Sequence, residues 1–227
     1  MYYEFHTYTK LFEKIPFKPR KYNILIKPKI YNYSKSTKLE VSQNKKIDLI
    51  KTLKTRETKR NFKKKTMDLE ILSDVIYYSI FNEKSRAYPS AGARYPIELY
   101  LAVFNVKNMK KGIYYINQKT KMIFLLKEGD YQDDIFKISQ NQFFTKNASF
   151  AIIMTANFER TIEKYGERGY RYVLIDAGHI GQNFCLISEG LKIGCVPVGG
   201  FYDNLANKLL NLSDSEQTIY MMFFGGV

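Results

Sequence analysis

The sequence predicts an α+β fold, with a central mixed or antiparallel sheet, helices packed around it and an extended N-terminal arm. Three observations carry this expectation. Short β-branched and aromatic runs recur near residues 97, 113, 122, 150, 193 and 218. The helical patterns cluster between them instead of alternating strictly with them, which disfavours a doubly wound parallel sheet. Finally, 45% apolar residues, with 15% aromatic, over 227 positions supply material for one sizeable core.

Residues 1–45 mix aromatics with basic residues (Tyr2, Tyr3, Phe5, Tyr8, then Lys18, Arg20, Lys21) and contain Pro16, Pro19 and Pro28. No period persists there, so an extended arm is expected to lay its aromatics across the body or a partner subunit, with the domain proper over 46–227. A short helix over 47–53 runs into the basic cluster that ends at Arg60. Thr66, Asp68 and Glu70 suit a helix start, and Leu69, Leu72, Ile76 and Ile80 recur at helical intervals, predicting a helix over 67–81. A loop follows in which Pro89 and Pro96 fix φ while Ser90, Ala91, Gly92 and Ala93 leave the backbone bare. It is mounted on a strand expected over 97–106.

A hairpin is expected from 112–116 and 122–126 across Asn117–Lys121, then a polar helix over 131–140 and a central strand over 150–155. From Glu159 to Glu189 the pattern is helical, and from Tyr172 to Leu186 it is apolar on nearly every side, which predicts a helix buried at the domain centre. Gly178 and Gly181 would admit close packing there, and Gly190 would cap it. A strand over 193–198 leads into Gly199-Gly200-Phe201, followed by a helix over 205–210 and a last strand over 218–224.

Composition excludes several classes. No run approaches the roughly 20 apolar residues of a membrane helix and the N-terminus lacks a signal-peptide apolar region, so the cytoplasm is the expected location. Cys185 and Cys195 stand in apolar neighbourhoods without metal-ligand spacing and read as core residues; no metal is expected. The net charge is +14, and residues 1–65 hold 19 of the 36 Lys/Arg but 5 of the 22 Asp/Glu, so the whole excess is N-terminal. Such an arm suits RNA, an acidic membrane, an acidic peptide or a phosphate ligand, and equally a solvated surface. Neither GxGxxG nor GxxxxGK[ST] is present, which argues against the classical nucleotide folds.

Three stretches carry chemistry. Arg56, Thr58 and Arg60 alternate, so an extended backbone places them on one side, where they can grip a phosphate. The loop from Pro89 to Pro96 and the segment Pro197-Val-Gly-Gly-Phe201 offer bare backbone. Together they suit a flat ring system with a phosphate tail.

On these residues the sequence resembles the FMN-dependent nitroreductase superfamily, and more narrowly the azoline dehydrogenases of thiazole/oxazole-modified peptide biosynthesis, the streptolysin- and microcin-type oxidases. The resemblance covers roughly residues 50–227 and is most specific at Pro89-Ser-Ala-Gly-Ala-Arg-Tyr-Pro96. It implies FMN bound through Arg56, Thr58 and Arg60 at the phosphate, Pro89, Ser90, Ala91 and Gly92 beside the flavin, and Val198, Gly199 and Gly200 facing its N5. Arg168, Tyr170, Arg171, Asp176, Gly178, His179 and Gln182 match the subfamily's long central helix. A homodimer, a modified precursor peptide as substrate, a companion cyclodehydratase and reoxidation by dioxygen are implied likewise.

The subfamily's catalytic Lys-Tyr pair matches Lys164 and Tyr165. Turning an azoline into an azole removes a proton and a hydride, so a base must stand opposite the hydride acceptor. Lys and Tyr ordinarily titrate near pH 10, so either must be shifted downward to act as that base near neutrality. Which of the two is the base stays open. Adjacent helical residues diverge by roughly 100°, so the pair is expected to share a rim but not one face. Asp176 is expected to hold Arg171 or a backbone amide, and His179 to be a core or flavin-wall residue. The superfamily often places a basic pair just after its last strand; this sequence reads Gly225-Gly226-Val227 there, leaving the phosphate to the N-terminal cluster or a partner subunit. The alternatives are a general NAD(P)H-dependent nitro or quinone reductase and, in another class, a non-catalytic nucleic-acid-binding or scaffold protein.

Overall fold

The structure, a computed structural model, describes residues 2–10, 36–39, 41–42 and 45–227. The strands among them are β1 (Ser36–Lys38), β2 (Ile97–Val103), β3 (Gly112–Asn117), β4 (Met122–Glu128), β5 (Phe150–Asn157), β6 (Gly194–Val198) and β7 (Glu216–Gly225). They form one sheet in the order β1-β4-β3-β2-β5-β7-β6, and every pairing is antiparallel. The helices are α1 (Tyr2–Tyr8), α2 (Leu49–Thr55), α3 (Leu69–Ile80), α4 (Gln132–Ile138), α5 (Glu159–Tyr165), α6 (Arg168–Gly190) and α7 (Asp203–Leu210).

Strand alternation divides the core between the two faces of the sheet. Leu99, Leu101, Ile152, Met154, Met222 and Phe224 face α3 and α6, meeting Leu72, Ile76, Val173, Ile180 and Phe184. Tyr100, Ala102, Ala151, Ile153, Met221 and Phe223 face the other way, onto Ile135 and Ile138 of α4 and Ala206 and Leu210 of α7. β2 is buried along its whole length and pairs with β3 and β5. Near-continuous apolar sequence in β2 and β5 therefore reflects helices on both faces. Among the described residues no helix is long and apolar enough to cross a membrane.

Every strand and helix expected over 46–227 is present, with ends shifted by a few residues. Four expectations need correction. The pattern over 159–189 is two helices, broken where Gly166 takes φ 59°. The second of them, α6, is not buried all round: Leu174 and Ile175 are 43% and 53% exposed, and Gly178, His179 and Gln182 lie on the same open face. Close packing explains Gly181, where a Cβ would stand 2.8 Å from the Tyr220 ring, but not Gly178, which has open space. Gly190 is still helical, and its missing side chain makes room for Ile47.

Most of the expected arm lies outside the described residues. Its first described segment is helical rather than extended, and α6 caps it: Arg171 Nη2 donates to the His6 carbonyl at 2.5 Å and Arg168 Nη1 to that of Thr9 at 2.9 Å, satisfying carbonyls at the end of α1. The Phe5 ring meets Tyr170 edge-on at 4.7 Å. Strand β1 has no sequence signal beyond Ser-Thr-Lys and owes its place to pairing with β4.

Candidate functional site

The Pro89–Pro96 loop is shaped from within. Ala91–Ala93 forms a single 3-10 turn in which Gly92 has φ 58°, and Ala93 and Tyr95 also take positive φ, 55° and 46°. Left-handed backbone at non-glycine residues costs energy and is held only where the surroundings require it. The requirement comes from Asp176 of α6, which is 3% exposed. The Ser90 hydroxyl donates to Asp176 Oδ2 at 2.5 Å, the Ala91 amide to Oδ1 at 3.4 Å, and the Tyr95 amide to Ser90 Oγ at 2.8 Å. Asp176 thus holds a backbone amide and not Arg171, which is turned to α1.

Burial pushes the Asp176 carboxyl above its ordinary value, while the bonds from Ser90 and Ala91 oppose the shift. A group raised on folding contributes its full stability below the ordinary carboxylate range and loses it as pH rises through the raised value. Wild type is therefore expected to lose stability relative to Asp176→Asn as pH is raised from about 4 to 7, read by urea unfolding at both ends.

Lys164 and Tyr165 occupy the last turn of α5, which Gly166 ends. Their side chains meet at Gly92. A Cβ built there would collide with the Tyr165 hydroxyl and lie 2.7 Å from Lys164 Nζ. Lys164 Nζ stands 5.3 Å from the Tyr165 ring centre, and that ring meets Tyr172 edge-on at 5.0 Å. The expected divergence of the pair is therefore overcome, because a long side chain and a ring at a helix end can both turn to one point.

Helix α5 is fixed by groups that sequence reasoning missed. Arg160 Nη2 pairs with Glu98 Oε1 at 2.6 Å and Nη1 donates to the Tyr95 carbonyl at 3.1 Å. Glu98 Oε2 accepts from Tyr115 at 2.7 Å, and the Arg94 guanidinium, 7% exposed, donates through Nε to the Arg160 carbonyl at 2.7 Å. A lone carboxylate in the otherwise apolar run Ile97–Val103 was the available signal, since a buried charge needs a partner.

The basic cluster lies elsewhere. Arg56 caps α2, and its charge is felt at Cys185, Cys195 and Glu189. Thr58 is half-buried, Arg60 is exposed, and Lys59 pairs with Glu189 at 2.7 Å. Phe62 fills the space left at Gly194 and Gly225, and the Lys63 amide donates to the Gly226 carbonyl at 2.8 Å. Lys63, Lys64 and Lys65 are exposed beside the end of β7. Cys195 is a core residue, and Cys185, half-buried, packs against it.

At the far end of β6, Val198 is buried, a Cβ built on Gly199 would meet no atom within 4 Å, and one built on Gly200 would lie 3.6 Å from Gln140 Oε1. Among the described residues β6 is an edge strand. From Cys195, near Arg56, to Gly199 is four residues, roughly 13 Å of strand. Guanidinium at one end and uncovered glycine backbone at the other fit a flat ring with an anionic tail.

The structure thus brings Lys164 and Tyr165 to Gly92, and the charge of Arg56 within reach of Cys195 on the strand that precedes Gly199. It does not bring the two groups together within one chain. Asp176, beneath the loop, and Glu189, beside Arg56, are thirteen residues apart on α6, roughly 20 Å along its axis.

The profile of the Nitroreductase family matches residues 53–226. The chain belongs to the Nitroreductase family. As a member it is a flavin-dependent oxidoreductase. A nitroreductase-like protein of Methanocaldococcus jannaschii is 34% identical over 172 residues, 74% of this chain and 86% of that protein. The microcin B17-processing protein McbC of Escherichia coli is 28% identical over 148 residues, 63% of this chain but 54% of its own length. The trifolitoxin-processing protein TfxB of Rhizobium leguminosarum is 28% identical over 144 residues, 38% of its length. Among solved structures, a nitroreductase-like protein from Anabaena variabilis superposes with TM-score 0.82 at 22% identity, over 98% of this chain and 46% of that one. A chain of the E. coli microcin synthetase McbBCD complex with truncated pro-MccB17 superposes with TM-score 0.68 at 20% identity, over 100% and 91%. These structural likenesses establish the nitroreductase fold.

Proposed function

We propose that this family member binds FMN and oxidises azoline rings of a ribosomally made peptide to thiazoles or oxazoles. The observation that carries the reading is the convergence of Lys164 and Tyr165 on the bare backbone at Gly92. Similarity to the microcin B17-processing and trifolitoxin-processing proteins supports it.

Arg56, Thr58 and Arg60 would hold the phosphate, helped by Lys63–Lys65, and Val198, Gly199 and Gly200 would lie along the ring. Pro89, Ser90, Ala91 and Gly92 meet α6 at Asp176, roughly 20 Å along the helix from Glu189 and Arg56, which argues against their serving the same flavin from the same chain. A second copy resting on the open face of α6, at Leu174, Ile175 and Gly178, would supply them, so we propose a homodimer with a shared site. FMN, when bound, supplies the two-electron acceptor for the ring hydride. Lys164 or Tyr165 removes the ring proton, and Gly92 lets both approach a flat substrate closely. A companion cyclodehydratase would make the azoline that this reaction consumes.

Purified protein is expected to show the visible absorbance of bound flavin, released on denaturation. Lys164→Ala and Tyr165→Phe should each retain the flavin, and the one that removes the base should lower azoline oxidation by about 100-fold or more. A colourless protein that takes up no added FMN, or variants oxidising at the native rate, would refute the reading. The similarity at 34% identity to a nitroreductase-like protein favours a second reading, a general NAD(P)H-dependent reductase. Rapid bleaching of the bound flavin by NADPH would support that one.

A further inference from the structure

A cavity of about 380 Å³ lies between residues 84–86, the β3–β4 turn and the start of α5. Its inner wall is electrically settled, because Glu98 is held by Arg160 and Tyr115. Its lining includes Lys84, Arg86, Lys119 and Lys121, the last donating to the Asn82 carbonyl at 3.2 Å, and among the described residues Glu98 is the only acidic one that lines it. Among the described residues no carboxylate pairs with any of those four. Four cations gathered round one concavity create a positive potential that an anionic ligand would answer.

Arg86 is set in advance. Its guanidinium lies 4.0 Å from the Tyr95 ring centre, and its Nε donates to Gln118 Oε1 at 3.2 Å. Gln118 is itself fixed by donating to the Ile97 carbonyl at 2.8 Å and accepting from Tyr88 at 2.5 Å. The terminal nitrogens of Arg86 are left to meet a ligand at little further entropic cost.

The form of the anion follows from the backbone. Phosphate sites are usually built from converging amides. Here the Asn82 carboxamide accepts from the amides of Lys84 and Ser85, at 3.0 and 2.6 Å, and Asn117 from those of Lys119 and Thr120, at 2.9 and 3.0 Å. With those amides spent, the cavity offers side-chain cations spread around a rim. That arrangement suits several carboxylates along a chain better than one compact phosphate. The volume is also at the small end of ligand pockets, roughly 300–1,000 Å³, enough for side chains but scant for a dinucleotide.

We propose that this cavity receives acidic side chains of an extended peptide and holds that peptide beside the loop that carries Gly92. The identity of the peptide as substrate rests on the function proposed above; its capture here does not require turnover. Tyr95 and Arg160 line the cavity and also anchor the loop and α5, so a peptide seated in it borders the framework of the reactive pair.

The test is fluorescence anisotropy of a fluorescein-labelled glutamate-glycine repeat against its glutamine-glycine counterpart, with the full chain as purified. The glutamate peptide is expected to bind at least about tenfold more tightly, and less so as salt is raised. Arg86→Gln, and the double variant Lys84→Gln/Lys119→Gln, should each remove most of that preference while flavin content is unchanged. Equal binding of the two peptides overturns the proposal. So does unchanged binding in both variants, which would move the site to the basic N-terminal segment. Displacement by inorganic phosphate at concentrations where acetate has no effect overturns it in favour of a phosphate site. Oxidation plays no part in the measurement, so failure to oxidise an azoline leaves it intact, and loss of peptide binding leaves the flavin reading intact.

Discussion

Gly92→Ala is expected to abolish most oxidation while the protein stays folded. Two effects coincide at this one position. The backbone there has φ 58°, which costs an L-residue about 1–2 kcal/mol. In addition, the new methyl group would occupy the place of the Tyr165 hydroxyl and press on Lys164 Nζ, 2.7 Å away. Both neighbours are ends of long side chains, so they yield rather than unfold the domain. A displacement on the order of 1 Å in a reacting group costs about 100-fold in rate. A variant with native flavin absorbance and about one hundredth of the native rate is the outcome; a native rate would mean that the pair does not act at this loop.

Arg160→Ala should carry the largest cost in stability. It leaves Glu98, 4% exposed, without its guanidinium and strips the Tyr95 carbonyl of a donor. Removing one partner of a buried pair costs about 3–5 kcal/mol. Urea unfolding should show that loss, and Glu98→Gln placed on the same variant should restore part of it by removing the stranded charge. Full additivity of the two substitutions would show that the pair is not coupled. Helix α5 is tied to β2 through this pair, so the single variant should also lose oxidation by more than its stability alone predicts.

Much of the fold was legible because β2, β5 and β7 carry apolar runs that only two-sided burial explains, and because Leu69 to Ile80 keeps a helical period. The reading of α6 failed on one face. Leu174 and Ile175 are as apolar as core residues, and a sequence does not distinguish a face that meets its own sheet from one left open by a single chain. The break at Gly166 was hidden because the residues on either side are good helix formers. Candidate site residues were individually visible, but their grouping was not. Gly92 and Lys164 are brought together by α5 folding back over β2, held by Arg160 and Glu98, which are 62 residues apart. Asp176 reaches Ser90 across 86 residues. Periodicity reports local structure and is silent on such closures. The separation of Arg56 from the Pro89 loop follows from the length of α6, Arg168–Gly190, which the unbroken pattern over 159–189 did not delimit.

The two margins of the sheet bear on how copies of this protein could meet. At one margin β1 is three residues long; at the other β6 is five, with Pro197 removing a donor from it. Short, donor-poor edges are weak templates for adding another strand. Strand-to-strand growth is thereby discouraged at both ends, and association is steered toward surfaces built from helices. The homodimer proposed above, closed through helical surfaces instead of strand pairing, fits such edges.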